Sequence, residues 1–196
     1  MNRDEVLDIF RQCGAMLEGH FILSSGLRSP VFLQKARVFQ YPGQTEKLCQ
    51  ALAERIRAAV PGVTKVVSPA IGGIIPGYET ARQLGVPALY TERVDGQFEL
   101  RRGFEIAPDD VVVVVEDIVS TGLSIRECVE TLRRIGANVA AAACLIDRSA
   151  GEAEIGVPLV SLIQFKVPAY PADQLPPELA AIPAIKPGSR GIQGVK

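Results

Sequence analysis

Five consecutive valines, Val111–Val115, constrain this 196-residue chain more than any other feature. A β-branched run with no polar alternation suits a strand covered on both faces, as in the middle of a parallel sheet. Other short, β-branched runs occur at Val63–Val67, Val86–Tyr90, Val139–Ile146 and Leu159–Phe165, and helical patterns at Ile74–Leu84 and Ser124–Ile135 separate some of them. Five buried strands with intervening helices predict an α/β fold, a five-stranded mainly parallel sheet flanked by helices. Ligands of such sheets bind at the carboxyl ends of the strands.

The flanks read differently. Asn2 can cap a first helix whose apolar positions Val6, Leu7, Phe10, Cys13 and Leu17 share one face, ending near Gly19. His20 to Phe39 carries SSG and SP turn signals around a short VFL, which predicts a lid or edge hairpin, so that residues 1–40 form a helix and a hood. Leu48, Leu52 and Ile56 mark a second amphipathic helix. TERVDGQFELRRGFE, from Thr91, has Asp95-Gly96 as a two-residue turn between alternating residues, so 91–104 predicts a protruding, mobile, arginine-bearing hairpin. The segment from Pro168 is proline-rich and is expected to wrap the surface without regular structure. No repeat is visible, and 1–196 reads as one domain with its core at 62–166.

Composition excludes several functions. Twenty-one basic and 22 acidic residues leave a net charge of −1, with no basic footprint for nucleic acid. Cys13, Cys49, Cys128 and Cys144 lack CxxC spacing and sit among apolar neighbours, as reduced core thiols of a cytoplasmic protein do. With His20 the single histidine, a Ser-His-Asp triad or a zinc site is improbable, and His20 reads as structural. The opening MNRDEVLD is unlike a signal peptide and the longest apolar run is too short to span a bilayer, so no membrane association is expected.

Chemistry concentrates in VVVVVEDIVSTGLS, Val111 to Ser124. The valine strand delivers Glu116 and Asp117 together at its carboxyl end, and Ser120-Thr121-Gly122 then leads into a helix whose free backbone N–H groups make an anion site. Acids suit sugar hydroxyls or a hydrated Mg²⁺, and the loop suits a phosphate monoester; together they describe a ribose phosphate. The plainer reading is an acid pair capping a helix with STG as an ordinary turn. Neither GxxxxGK[ST] nor GxGxxG occurs.

This string resembles the phosphoribosyl-diphosphate (PRPP) motif of type I phosphoribosyltransferases. GHFILSSGLRSPVFLQKA (Gly19 to Ala36), SPAIGG (Ser68 to Gly73) and LIDRSAG (Leu145 to Gly151) are similar to the hood, the diphosphate-facing loop and the base-binding turn of the orotate phosphoribosyltransferase family, so the resemblance covers nearly the whole chain. It implies PRPP held by Glu116, Asp117, Ile118, Val119, Ser120, Thr121, Gly122, Leu123 and Ser124, and orotate met by Ser120, Arg148 and Phe32. It also implies Mg²⁺ carried mainly by substrate, a homodimer, and catalysis by Glu116 and Asp117 with hairpin cations acting across the dimer interface. Arg148 offers a planar fork for a carboxylate, the alternative being a salt bridge to Asp147 or a helix acid; Phe32 could equally be a core aromatic, and Ser120 a helix cap. The hairpin departs from the family pattern. It has no lysine or histidine, and its cations are Arg93, Arg101 and Arg102, while Gly72 and Ser24 stand where many members have lysines. The implied activity is orotate phosphoribosyltransfer in pyrimidine synthesis; the alternatives are a PRPP-binding regulator of the same fold or a phosphoribosyltransferase for another base.

Overall fold

The computed structural model describes residues 1–23 and 25–187; Ser24 and the end of the proline-rich tail lie outside the described residues. In chain order the elements are α1 (Arg3–Gln12), β1 (Met16–Ile22), β2 (Arg28–Leu33), α2 (Ala36–Phe39), α3 (Pro42–Ala59), β3 (Lys65–Pro69), α4 (Ile74–Leu84), β4 (Ala88–Val94), β5 (Gln97–Leu100), β6 (Val111–Val119), α5 (Leu123–Arg134), β7 (Asn138–Asp147), β8 (Leu159–Gln164), α6 (Pro177–Ala180) and β9 (Ala184–Ile185). The chain divides into two compact units. The larger comprises Met1–Val6 and Phe39–Lys166, the smaller Leu7–Val38 and the chain from Val167 on.

The larger unit holds a six-stranded sheet in the order β5-β4-β3-β6-β7-β8. Five strands are parallel, and β5 adds an antiparallel edge by folding back on β4 through the Asp95–Gly96 turn. The predicted count of five becomes six because the hairpin's return strand joins the sheet. Val112, Val113, Val114 and Val115 are fully buried, as the valine run requires. Around them Val67, Leu89, Phe98, Ile125, Cys128, Leu132, Val139 and Ala142 form one apolar cluster. The strand order reverses between β3 and β6: the chain leaves β3 through α4 to one side and leaves β6 through α5 to the other. That is the switch point where an open α/β sheet leaves a crevice at its carboxyl edge.

The amino edge of the same sheet is closed by a polar clamp. Asp110, just before β6, accepts hydrogen bonds from Thr64 Oγ1 at 2.8 Å, Lys65 Nζ at 2.5 Å and the Ala107 N–H at 2.6 Å. Lys65 Nζ also donates to the Glu105 carbonyl at 3.1 Å.

α1 opens with a capping box, Glu5 N–H to Asn2 Oδ1 at 3.0 Å and Asn2 N–H to Glu5 Oε2 at 2.7 Å. It ends earlier than the apolar spacing predicts. Gly14 turns left-handed (φ 61°), and the Gly14 and Ala15 N–H groups bond back to the Arg11 and Phe10 carbonyls at 2.9 and 2.8 Å, a Schellman stop. Leu17 therefore lies in a strand. In the smaller unit β2-β1-β9 form a three-stranded sheet, in which β1 and β2 are an antiparallel pair. The tail is not devoid of regular structure. It contributes α6 and β9, which pairs parallel to β1 at His20 and Phe21. His20 is buried, with Nδ1 2.9 Å from the Ile182 carbonyl oxygen.

Candidate active site

Three neighbouring strands, β3, β6 and β7, end side by side, and each contributes a loop. β6 runs past the valines to Val119, so Glu116 and Asp117 sit within its last turns of pleat rather than after it. Both are buried, Asp117 to 1% exposure. The Asp117 N–H donates to Glu116 Oε1 at 3.1 Å and the Ile118 N–H to Asp117 Oδ1 at 2.5 Å, so backbone donors help to hold both carboxylates.

Ser120 and Thr121 follow, both exposed, and α5 starts after Gly122. Gly122 is required twice over: its φ is +76°, and a Cβ there would lie 2.6 Å from Ile155 Cγ2 and 3.1 Å from Ala153 Cβ. The Thr121 hydroxyl accepts weakly from the Leu123 N–H at 3.4 Å, and no side chain caps the helix. The helix thus starts with first-turn N–H groups that lack a strong side-chain acceptor, the kind of helix start at which anions can be held.

From β7, the Arg148 N–H bonds to the Val119 carbonyl at 2.7 Å, which seats Arg148 beside the β6 loop. The Asp147 carboxylate takes the Ser149 N–H (2.8 Å), the Ser149 hydroxyl (2.6 Å) and the Gly151 N–H (2.8 Å). It organises the turn instead of pairing with its neighbour's guanidinium. Arg148 is half-buried, its Nε has no hydrogen-bond partner among the described residues, and burial lowers its pKa from the usual arginine range. Asp147 was not singled out as a turn organiser from sequence, although an Asp two residues before a Ser at a strand end is an Asx-turn signal.

From β3, the SPAIGG loop approaches β6 closely. A Cβ at Gly73 would lie 2.9 Å from the Val115 carbonyl oxygen, one residue before the acid pair. Ser68 is buried with its Oγ unpartnered among the described residues. Within this loop Ile71 is 86% exposed, and Tyr78 on α4 is 63% exposed.

The hairpin arginines are placed elsewhere in the unit. The register sets Thr91 opposite Pro69 and Leu100 opposite Thr91, so Arg101 and Arg102 follow the edge strand, three strand spacings or about 14 Å from β6. Arg102 pairs with both oxygens of Glu92 at 2.8 Å. Arg93 pairs with Glu127 of α5 and lies over the Phe98 ring at 4.1 Å. Arg101 is exposed, its carbonyl accepting from the Phe104 N–H at 3.1 Å. Phe32 belongs to the smaller unit, half-buried on β2 with its ring centroid 5.8 Å from that of Phe21.

A family model described as a phosphoribosyl transferase domain matches residues 42–170. The chain belongs to the phosphoribosyltransferase family. It is 68% identical over 193 residues to a protein of Maricaulis maris (strain MCS10) named orotate phosphoribosyltransferase, covering 98% of this chain and all of that one. A protein of Mesorhizobium japonicum named orotate phosphoribosyltransferase 2 is 69% identical over the same span of 193 residues, again covering 98% of this chain and all of the relative. Among solved structures, the orotate phosphoribosyltransferase of Aeropyrum pernix superposes with a TM-score of 0.70 at 28% identity, covering 82% of this chain and 93% of that one. In this phosphoribosyltransferase the string that resembles the PRPP motif lies on β6 and the start of α5, at the switch point of the sheet.

Proposed function

We infer that this phosphoribosyltransferase acts on orotate, transferring the 5-phosphoribosyl group of PRPP to give orotidine 5′-monophosphate and pyrophosphate, a step of pyrimidine synthesis. Arg148 carries the reading. A guanidinium with an unpartnered buried Nε, seated beside a ribose-phosphate loop, suits a planar carboxylate, which orotate has and a neutral purine lacks. Full-length relatives named for the same substrate support it.

In the reaction the C1–O bond to diphosphate breaks, its electron pair leaving with the diphosphate, and a bond from orotate nitrogen to C1 forms. Positive charge grows on the ribose and negative charge on the leaving group, so catalysis is chiefly positional and electrostatic. Glu116 and Asp117 hold the ribose hydroxyls and favour the cationic sugar, the backbone amides from Ser120 to Ser124 hold the 5′-phosphate, and the Ser120 hydroxyl meets the pyrimidine edge. Orotate is already an anion and needs no general base. The carboxylate oxygens of Glu116 and Asp117 at the β6 end are hard donors of the kind that fit a Mg²⁺ arriving on substrate oxygens. Bound there, Mg²⁺ supplies charge neutralisation to the diphosphate.

Ile71, Ile75 and Tyr78 line one side of α4 and its leading loop at spacings of four and three, all exposed. A second copy of the chain covering this apolar face makes a homodimer, in which Arg101 serves the partner's diphosphate. Free, buried thiols favour a cytoplasmic setting, and no helix among the described residues is long and apolar enough to cross a membrane. Orotate consumption, followed by absorbance, tests the assignment. Turnover is expected with PRPP and Mg²⁺ and is lost when either is omitted; PRPP binding without turnover would instead make the protein a sensor of PRPP.

A further inference from the structure

Arg93 was expected among the cations that close over the diphosphate, yet its guanidinium is committed elsewhere. One nitrogen pairs with Glu127, another donates to the Gly96 carbonyl at 2.6 Å, and the group lies over the Phe98 ring. The same side of α5 makes two more ties to the hairpin: the Thr131 hydroxyl donates to the Phe98 carbonyl at 3.1 Å, and Cys128 Sγ lies 3.4 Å from Thr91 Oγ1. Beside these ties lies a groove of about 700 Å³ bordered by Gly96, Gln97, Glu130, Arg133 and Arg134, so beyond Phe98 the hairpin tip and α5 are joined by discrete polar contacts rather than continuous packing. Segments held this way open at low free-energy cost, and their position is set by a few side chains.

α5 is also the helix that begins at the phosphate-binding loop. We propose that Arg93 and Glu127 form a latch that positions the hairpin against the phosphate-loop helix, making both of them positioning residues for phosphoribosyl transfer. This rests on the orotate phosphoribosyltransferase reading above. The ion pair fixes where the hairpin strands stand relative to the 5′-phosphate cradle, and through them where Arg101 is presented, while Arg93 itself touches no substrate. Its charge is neutralised by a carboxylate of its own subunit, and its flat face is covered by an aromatic ring; both features hold an arginine in place and neither offers it to a ligand.

Charge reversal separates a latch from a catalytic cation. Arg93→Glu and Glu127→Arg, each alone, are expected to lower kcat about tenfold with the KM for orotate unchanged, since Arg148 is untouched. The double variant is expected to recover at least half of the wild-type kcat, and Glu127→Gln to fall between. Hydrogen exchange on the ligand-free protein gives a readout independent of turnover: amides of residues 91–100 are expected to exchange faster in each single variant and to regain protection in the double one. A double variant as slow as Arg93→Glu alone would overturn the proposal and make Arg93 a diphosphate contact. Unchanged hairpin exchange in both single variants would overturn it as well. Wild-type protein that does not consume orotate at all would instead remove the reading of the substrate, and the exchange data would still decide whether the latch exists.

Discussion

The two edges of the central sheet treat their polar groups in opposite ways. At the amino edge Asp110 is met by Thr64, Lys65 and the Ala107 amide, a network complete within the chain. At the carboxyl edge the arrangement is open: Arg148 Nε is buried without a partner among the described residues, and the start of α5 has no side-chain cap beyond the long 3.4 Å contact from the Leu123 N–H to Thr121 Oγ1. Buried polar groups are nearly always satisfied, and a group left over at a strand end marks a place where the missing partner is a ligand. The proposed function therefore assigns one edge of the same sheet to stability and the other to binding. Substitutions at the carboxyl edge should change catalysis at little cost in folding, and substitutions at the amino edge should do the reverse.

The largest effect is expected at the acid pair. Asp117→Asn keeps an oxygen for the Ile118 N–H but removes the charge that favours the cationic ribose. Turnover should fall by about 10²-fold or more, the scale on which groups that stabilise transition-state charge act, with the thermal midpoint nearly unmoved. A rate within twofold of wild type would take the acid pair out of the mechanism, and a collapse of the midpoint would make it part of the structural edge. Next in size is Arg148→Ala. Loss of a charge-assisted pair to the orotate carboxylate is worth roughly 10- to 100-fold in the KM for orotate, with a much smaller change for PRPP. Equal effects on both would show that Arg148 shapes the β6 loop through its backbone bond to Val119 rather than holding the base.

How much of this was legible in the sequence follows the same division. The valine strand, the helix that follows the STG turn and the α4 boundaries are legible because each is local: a covered strand, a helix start after a glycine turn and an amphipathic period are written in consecutive residues. β6 and β4 run farther toward the carboxyl edge than their apolar stretches, because pairing with β7 and β3 carries the ladder through Glu116, Asp117 and Thr91. The hood misleads because Leu17 continues the three-four spacing of α1; the Schellman stop at Gly14 overrides that spacing, and β1 takes its place in a sheet with β2 and β9. Prolines in the tail hide β9, which needs only two residues, Ala184 and Ile185, and a distant partner strand. The ion pairs of Arg93 and Arg102 were out of reach for another reason. Glu127 is 34 residues from Arg93, and nothing in the spacing says that α5 lies alongside the hairpin.

The thiols follow the stability side of the comparison. Burial pushes the pKa of Cys49 and Cys128 up to about 12, partly offset at Cys128 by the hydrogen bond with Thr91, and raises Cys144 as well. None of the three is a nucleophile near neutrality, which agrees with their place as apolar fillers of the core.

The smallest effect, and the one that tests the amino edge directly, is expected from Asp110→Asn. Hydrogen bonds from Lys65, Thr64 and the Ala107 amide hold the Asp110 carboxyl below the usual carboxylate range. A group whose pKa is depressed on folding stabilises the native state in full above its unfolded value, near 3.9, and loses that contribution as the pH falls toward the folded value. The variant should therefore melt a few degrees below wild type at pH 7. The gap should stay constant down to about pH 5 and narrow as the pH falls through the unfolded value toward the depressed folded one, where the wild-type carboxyl takes up its proton and the clamp loosens. Orotate turnover at pH 7 and a temperature well below both midpoints should not change. A gap independent of pH would mean that Asn reproduces the clamp's charge-dependent part and that Lys65 contributes geometry alone. A loss of turnover without a loss of stability would mean that the amino edge reaches the acid pair through β6, and the division of labour between the two edges would fail.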